Sequence, residues 1–218
     1  MPANIQSDPG WEIQTGSDIA PNPADLTLTQ RPLWVPAGLL IESTGEPGKY
    51  SGAVARSADY PLPANTGNLV LTATFAFDGP SATATESTEL GVKITLPNGI
   101  TLNGQFQYSW ANPETMTLDL TSVTGSGWSP TTFVRPKFAP NVIHTVVAIY
   151  KFTDAALSIV SVDTDGELFT TPVNMQNVPG KALGWAKNSF MVNLQLNTNT
   201  TGGKWQWMIY PNLTAQFF

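Results

Sequence analysis
From Met191 onward the chain alternates with a period of two: Val192, Leu194 and Leu196 take turns with Asn193, Gln195 and Asn197. A strand places successive side chains on opposite faces, so this run has one apolar face and one amide face. Related apolar patterning predicts strands over 38–43 (GLLIES), 50–57 (YSGAVARS), 68–78 (NLVLTATFAFD), 116–123 (MTLDLTSV), 144–152 (HTVVAIYKF) and 213–218 (LTAQFF). Hairpins are predicted where turn residues separate two such runs. Pro97-Asn98-Gly99 divides VKITL from ITLNGQFQY, Asp165-Gly166 divides LSIVSVDT from ELFTTP, and Gly202-Gly203 follows the opening run. Asn-Gly and Asp-Gly both tolerate the positive φ angles of a type I′ turn, which is the expected geometry. A helical period is almost absent, and 173–185 (VNMQNVPGKALGW) reads as a loop with one helical turn.

About a dozen short strands, punctuated by 18 Gly and 18 Pro without a break in composition, predict an all-β fold. The simplest arrangement is a two-sheet antiparallel β-sandwich, each sheet with one face inward. The expectation is a single domain over residues 1–218. Its first 36 residues, with six prolines, are read as an extended segment packed on the body.

The order of these runs carries a resemblance. An early YSGAVARSA precedes the long LVLTATFAFDG; a central HTVVAIYKFTDAALSIVSVDTDGE precedes a late SFMVNLQLN, and the chain closes with WQWMIYPNLTAQFF. From about Leu39 to Phe218 this resembles the concanavalin A-like lectin/glucanase jelly roll. The resemblance implies that the last strand returns beside the first, and that glycans are recognised or cleaved on a concave sheet.

Composition narrows the function. Charged residues make up 12 % of the chain, against about 25 % in an average soluble domain. The polar surface is therefore Thr, Asn, Ser and Gln. A net charge of −6 with ten scattered Lys and Arg offers no basic stripe for nucleic acid or anionic membrane. No cysteine is present, which excludes disulfides, thiolate metal sites and cysteine nucleophiles. No run approaches the roughly 18 apolar residues of a membrane span, so a soluble protein is expected. The opening MPANIQSDPGW has neither the basic nor the apolar region of a signal peptide. The compartment is therefore open, with an extracellular or particle-surface setting as the working expectation. The sequons at Asn199 and Asn212 are read as chance matches.

Catalytic strings are missing. Glucanases of the resembled family carry Glu-x-Asp-x-x-Glu on one strand, and no such string occurs. Glu86-Ser-Thr-Glu89 is nearest, but a spacing of three sends the two carboxyls to opposite faces, and the segment reads as a solvated loop entering a strand. Glu42 and Asp119 sit in apolar strand contexts without a visible partner. The lone His144 lies outside the strings that lyases of the fold use, and no G-x-S-x-G accompanies it. It is expected to be structural. Asp163-Thr-Asp165-Gly166-Glu167 has the start of a calcium loop, but turn geometry already explains it. No catalytic residue, metal or cofactor is assigned.

Binding residues are better represented. Amides donate and accept at once, and aromatic faces stack on the C–H face of a pyranose. Gln105 and Gln107 share one strand face, with Phe106, Tyr108 and Trp110 on the other; Asn193 and Gln195 share a face in the late strand. Trp205, Trp207 and Ile209 are expected in the core. Trp110 and Trp128 precede or occupy Gly/Pro-rich connections and are expected at the surface. The ligand-binding set is thus Gln105, Gln107, Trp110, Trp128, Asn193 and Gln195. The function expected is a non-catalytic carbohydrate-binding or adhesion module for neutral glycans. The alternatives are a structural assembly protein of a virion, fibre or other particle, forming homo-oligomers, and a glycoside hydrolase or polysaccharide lyase of the same fold.

Overall fold
The computed structural model describes residues 5–15, 25–31, 38–45, 47–48, 51–64, 67–79, 85–110, 112–121, 127–154, 156–171, 178–179, 181–182, 184, 186–198, 203–209 and 212–218. They form two antiparallel sheets packed face to face. The first sheet contains β1 (Glu12–Thr15), β4 (Ser51–Arg56), β5 (Tyr60–Pro61), β7 (Thr85–Thr95), β8 (Ile100–Ser109), β9 (Thr115–Thr121), β10 (Trp128–Pro136), β15 (Lys181–Ala182) and β16 (Ser189–Thr198). Its order is β1-β4-β16-β7-β8-β9-β10, with β5 also on β16 and β15 on β8. The second contains β2 (Asp25–Arg31), β3 (Gly38–Gly45), β6 (Asn68–Phe77), β11 (His144–Phe152), β12 (Ala156–Thr164), β13 (Glu167–Thr170), β14 (Val178–Pro179), β17 (Gly203–Ile209) and β18 (Thr214–Phe217). Its order is β13-β12-β11-β6-β17-β3-β2, with β14 on β12 and β18 on β6.

The alternation explains the sandwich. Val192, Leu194 and Leu196 of β16, Leu90, Val92 and Ile94 of β7, and Leu102, Phe106 and Tyr108 of β8 are all fully buried. They meet Leu69, Leu71, Ala73 and Phe75 of β6 and Val146, Ala148 and Tyr150 of β11 from the other sheet. An aromatic cluster fills one end. Phe138 lies edge-on to Phe75 at 5.1 Å and to Tyr108 at 5.0 Å, and Trp207 stacks on Phe77 at 5.9 Å. Trp207 and Ile209 are buried as expected; the Trp205 side chain lies outside the described residues.

Four local expectations need revision. The end of the chain returns beside the first strand of the resembled stretch only in part: β17 pairs along its length with Leu39–Gly45 of β3 and with Phe75–Phe77 of β6, whereas β18 lies on Leu69–Thr72 of β6, so the two run as one interrupted strand along β6. The Pro97 turn is not type I′. Only Gly99 has positive φ (84°); the Gly99 N–H donates to the Leu96 carbonyl at 2.9 Å and the Ile100 N–H to Asn98 Oδ1 at 2.9 Å. Proline fixes φ near −65°, so the first central position cannot be left-handed, and a type I turn with a left-handed glycine results. Residues 85–89 are strand rather than loop. Finally, β1 and β2 within the first 36 residues form the outer strands of the two sheets. The Asp165-Gly166 turn does take positive φ at both residues, 54° and 86°. The helical-turn expectation at 173–185 and the Gly202-Gly203 turn fall largely outside the described residues.

Candidate functional site
Every apolar residue facing the core has a neighbour on the outer face of its strand, and on the first sheet that outer face is polar yet recessed. The strand register sets out two transverse rows. One runs Glu12 (β1), Arg56 (β4), Asn193 (β16), Gly91 (β7) and Gln105 (β8). Thr121 on β9, whose Oγ1 donates to the Gln105 carbonyl at 2.6 Å, and its β10 partner Trp128 extend it. The next row runs Val54, Gln195, Glu89, Gln107, Asp119 and Pro130 across the same strands from β4. Five of the six expected binding residues, Gln105, Gln107, Trp128, Asn193 and Gln195, therefore share one face.

The sixth, Trp110, is a correction. It is only 4 % exposed and turns inward with the parity of Phe106 and Tyr108. Its ring meets Phe77 edge-on at 5.6 Å, and its backbone N–H donates to the Glu86 carbonyl at 2.7 Å. Aromatic packing with Phe77 and Phe138 prevailed over the pull of the following loop. Trp128 is half-buried at the edge of the face, as the first residue of β10.

The face is held by hydrogen bonds of side-chain amides. Gln195 Nε2 donates to Asn197 Oδ1 at 3.1 Å, and Asn197 Nδ2 reaches Ser87 Oγ and Glu89 Oε1, each at 2.8 Å. Gln107 Nε2 donates to Asp119 Oδ2 at 2.9 Å, and Asn103 Nδ2 to Gln105 Oε1 at 2.9 Å. Arg56 Nε stands 3.3 Å from Glu12 Oε2. Asn193 is 1 % exposed, and its Nδ2 has no hydrogen-bond partner; neither do Asn103 Oδ1 and Asp119 Oδ1. At the centre, Gly91 keeps the floor low. A Cβ there would collide with the Gly104 carbonyl oxygen and stand 2.7 Å from Gln105 Cα.

Burial also tunes charge. It pushes the Glu89 carboxyl up to about 7 against the opposing pull of the Asn197 hydrogen bond and the Lys93 charge. Asp119 is raised by burial, with the Gln107 bond acting the other way. Lys93 is lowered by burial and by nearby Arg56, with Glu89 opposing. Glu89 and Asp119 were not assigned from the sequence. The strand alternation through Leu90 and Val92 was the signal that could have placed Glu89 on the polar face. The Glu42 side chain lies outside the described residues.

Away from this face, His144 is buried at the second sheet. Its Nδ1 lies 2.9 Å from Asp165 Oδ2 and its Nε2 3.1 Å from the Ala139 carbonyl. Asp165 also accepts from Arg135 and the Thr145 N–H, at 3.0 and 2.8 Å, and Asp163 Oδ1 accepts from Gly166 N–H at 3.0 Å. These acidic groups hold the hairpin. Among the described residues no three His, Asp or Glu side chains gather as a metal site requires, and no helix is long and apolar enough to cross a membrane.

No family model and no curated protein matches the sequence. Solved structures do match the fold. The lectin UEA-II complexed with galactose aligns with 9 % identity and a TM-score of 0.51, covering 94 % of this chain and 93 % of that one. The fold is the concanavalin A-like jelly roll. The Emp46p carbohydrate recognition domain in its potassium-bound form aligns at 12 % identity and TM-score 0.48 over 94 % of this chain and 90 % of its own. A family 7 alginate lyase A1-II′ variant aligns at 11 % identity and TM-score 0.48, over 83 % and 78 %. At these identities the likeness concerns the fold alone.

Proposed function
We propose that this jelly roll recognises a neutral, polyhydroxylated glycan on the outer face of its first sheet. The observation that carries the reading is Asn193, an amide with 1 % exposure whose Nδ2 lacks a partner, set beside Gly91 in a row ending at Trp128. A buried donor without an acceptor costs about 1–3 kcal/mol, a cost that a ligand oxygen at this position would offset. Gln105, Gln107 and Gln195 supply further paired donors and acceptors, and Trp128 offers a ring for a pyranose face. The charges suit an uncharged ligand: Arg56 is matched by Glu12, and burial disfavours ionisation of Glu89. A jelly roll serves many functions, so the reading rests on this face and not on the fold.

A broad glycan array with labelled protein, run with and without calcium, tests it. Selective, calcium-independent binding is expected. Asn193→Ala, Gln195→Ala and Trp128→Ala should each weaken the bound glycan about tenfold, roughly 1.4 kcal/mol, without lowering helix-free circular dichroism signal or cooperativity of unfolding. Unchanged affinity in all three variants would move the site elsewhere.

A further inference from the structure
On the central strands of the polar face the side chains of Asn193, Glu89, Gln105 and Gln107 are buried, whereas β10 stands exposed beside them. Strand register aligns four apolar residues on that wall. Trp128 stands opposite Thr121, Pro130 opposite Asp119, Val134 opposite Thr117 and Pro136 opposite Thr115. Directly paired residues point to the same side and alternate residues of β9 share a face, so all four lie on the outer face. Alternate positions are about 7 Å apart, which makes a rail about 20 Å long. Trp128 is half-buried, Pro130 and Pro136 are exposed, and Val134 is 56 % exposed.

A β-bulge builds this rail. Continued regularly, β10 would set Thr132 opposite Thr117. Instead the register shifts between Pro130 and Val134, and Thr131, Thr132 and Phe133 together oppose the single Leu118. Thr131 Oγ1 donates to the Leu118 carbonyl at 2.7 Å, and the Phe133 N–H donates to Thr131 Oγ1 at 3.0 Å, which fixes the bulge. Bulges re-aim side chains beside sites. This one sets an isopropyl group where a hydroxyl would stand. Sugar hydroxyls laid against such a wall lose water without gaining partners, whereas methyl groups gain from leaving water.

We infer that the glycan taken by this face carries methyl-bearing substituents. Its acetamido, acetyl-ester or 6-deoxy methyl groups lie along Trp128, Pro130, Val134 and Pro136 while its hydroxyls face the amides. The inference rests on the reading that a neutral glycan lies on this face, and names the class of that glycan. A peptide strand is a poorer occupant, because Pro130 and Pro136 lack the N–H that a ladder needs.

Binding of the intact protein should be measured by calorimetry on matched pairs. Chito- and cello-oligosaccharides test the acetamido group, acetylated and deacetylated xylan the ester, and L-fucose- and L-galactose-terminated oligosaccharides the deoxy methyl. In at least one pair the substituted member should bind tighter, by about fourfold for each methyl group buried. Val134→Thr keeps the branched shape at an exposed site and adds only a hydroxyl. It should shrink that preference about threefold, leaving the unsubstituted partner's affinity and the unfolding midpoint unchanged. Equal affinity within every pair that binds overturns the rail and leaves recognition standing. A preference untouched by Val134→Thr places the methyl contacts elsewhere and overturns the rail as well. A panel in which no member binds overturns both readings.

Discussion
At the scale of single residues the informative group is Glu89. Burial raises its pKa from 4.5 to about 7, so between those values the folded protein holds this proton more tightly than the unfolded chain does. Its contribution to stability is fully present below about pH 4.5 and is lost as pH climbs through 7. The span corresponds to about 3 kcal/mol. Glu89→Gln stays neutral throughout, so the variant should match wild type near pH 4 and exceed it by up to about 3 kcal/mol at pH 8, measured by denaturant unfolding. A constant difference across that range would show that Glu89 is not buried as described. Two core tyrosines give a second comparison. The Tyr108 hydroxyl bonds Thr164 Oγ1, whereas the fully buried Tyr150 hydroxyl has no partner. Tyr108→Phe should cost about 1 kcal/mol, and Tyr150→Phe should be neutral or stabilising, by shifts in unfolding midpoint. Glu89 was misread in the sequence because TESTEL is polar at nearly every position. A strand whose outer face is itself recessed buries polar residues on that side, and hydropathy alone does not separate it from a loop. Trp110 failed for the opposite reason: its neighbours in sequence are loop-like, while its neighbours in space are Phe77 and Phe138.

At the scale of elements the alternation was legible wherever one face met the core, as in β6, β11 and β16. It was short in β1 and β2, of four and seven residues, where Ile13 and the pair Leu26 and Leu28 are set among Gln, Thr and charged residues at the ends of their sheets. Turn chemistry was legible where one residue decides it. Gly166 sits at φ 86° with open space around a would-be Cβ, so Gly166→Ala carries backbone strain alone, about 1 kcal/mol. Asp165 does more, because its carboxylate ties the β12–β13 turn to the Thr145 N–H at the start of β11 and to Arg135 on β10 in the other sheet. Asp165→Ala should cost about 2–3 kcal/mol, well beyond Gly166→Ala, since it strands several donors at once. Equal losses in the two variants, by thermal or denaturant unfolding, would reduce Asp165 to a turn former.

At the scale of the whole molecule the assembly alternative turns on sheet edges. Unpaired strand edges invite pairing with another copy, and proteins that stay single blunt them with prolines, bulges and short strands. Among the described residues β10 ends the first sheet and β13 the second, and the ion pair of Arg135 with Glu167 links the two at 3.7 Å. β10 carries Pro130 and Pro136 with a register shift between Pro130 and Val134, while β13 has only four residues. This end therefore offers little ladder to a neighbour, although Val134 and Leu168 are exposed on it at 56 % and 63 %. Light scattering after size exclusion should find a single species of 23.4 kDa at every concentration tested. Replacing both prolines by threonine restores two N–H donors and β propensity to the edge, and should shift the mass upward as concentration rises. A larger wild-type species would instead revive the assembly reading. The glycan face would then have to be retested in the oligomer, because β10 also carries Trp128 at the end of the amide row.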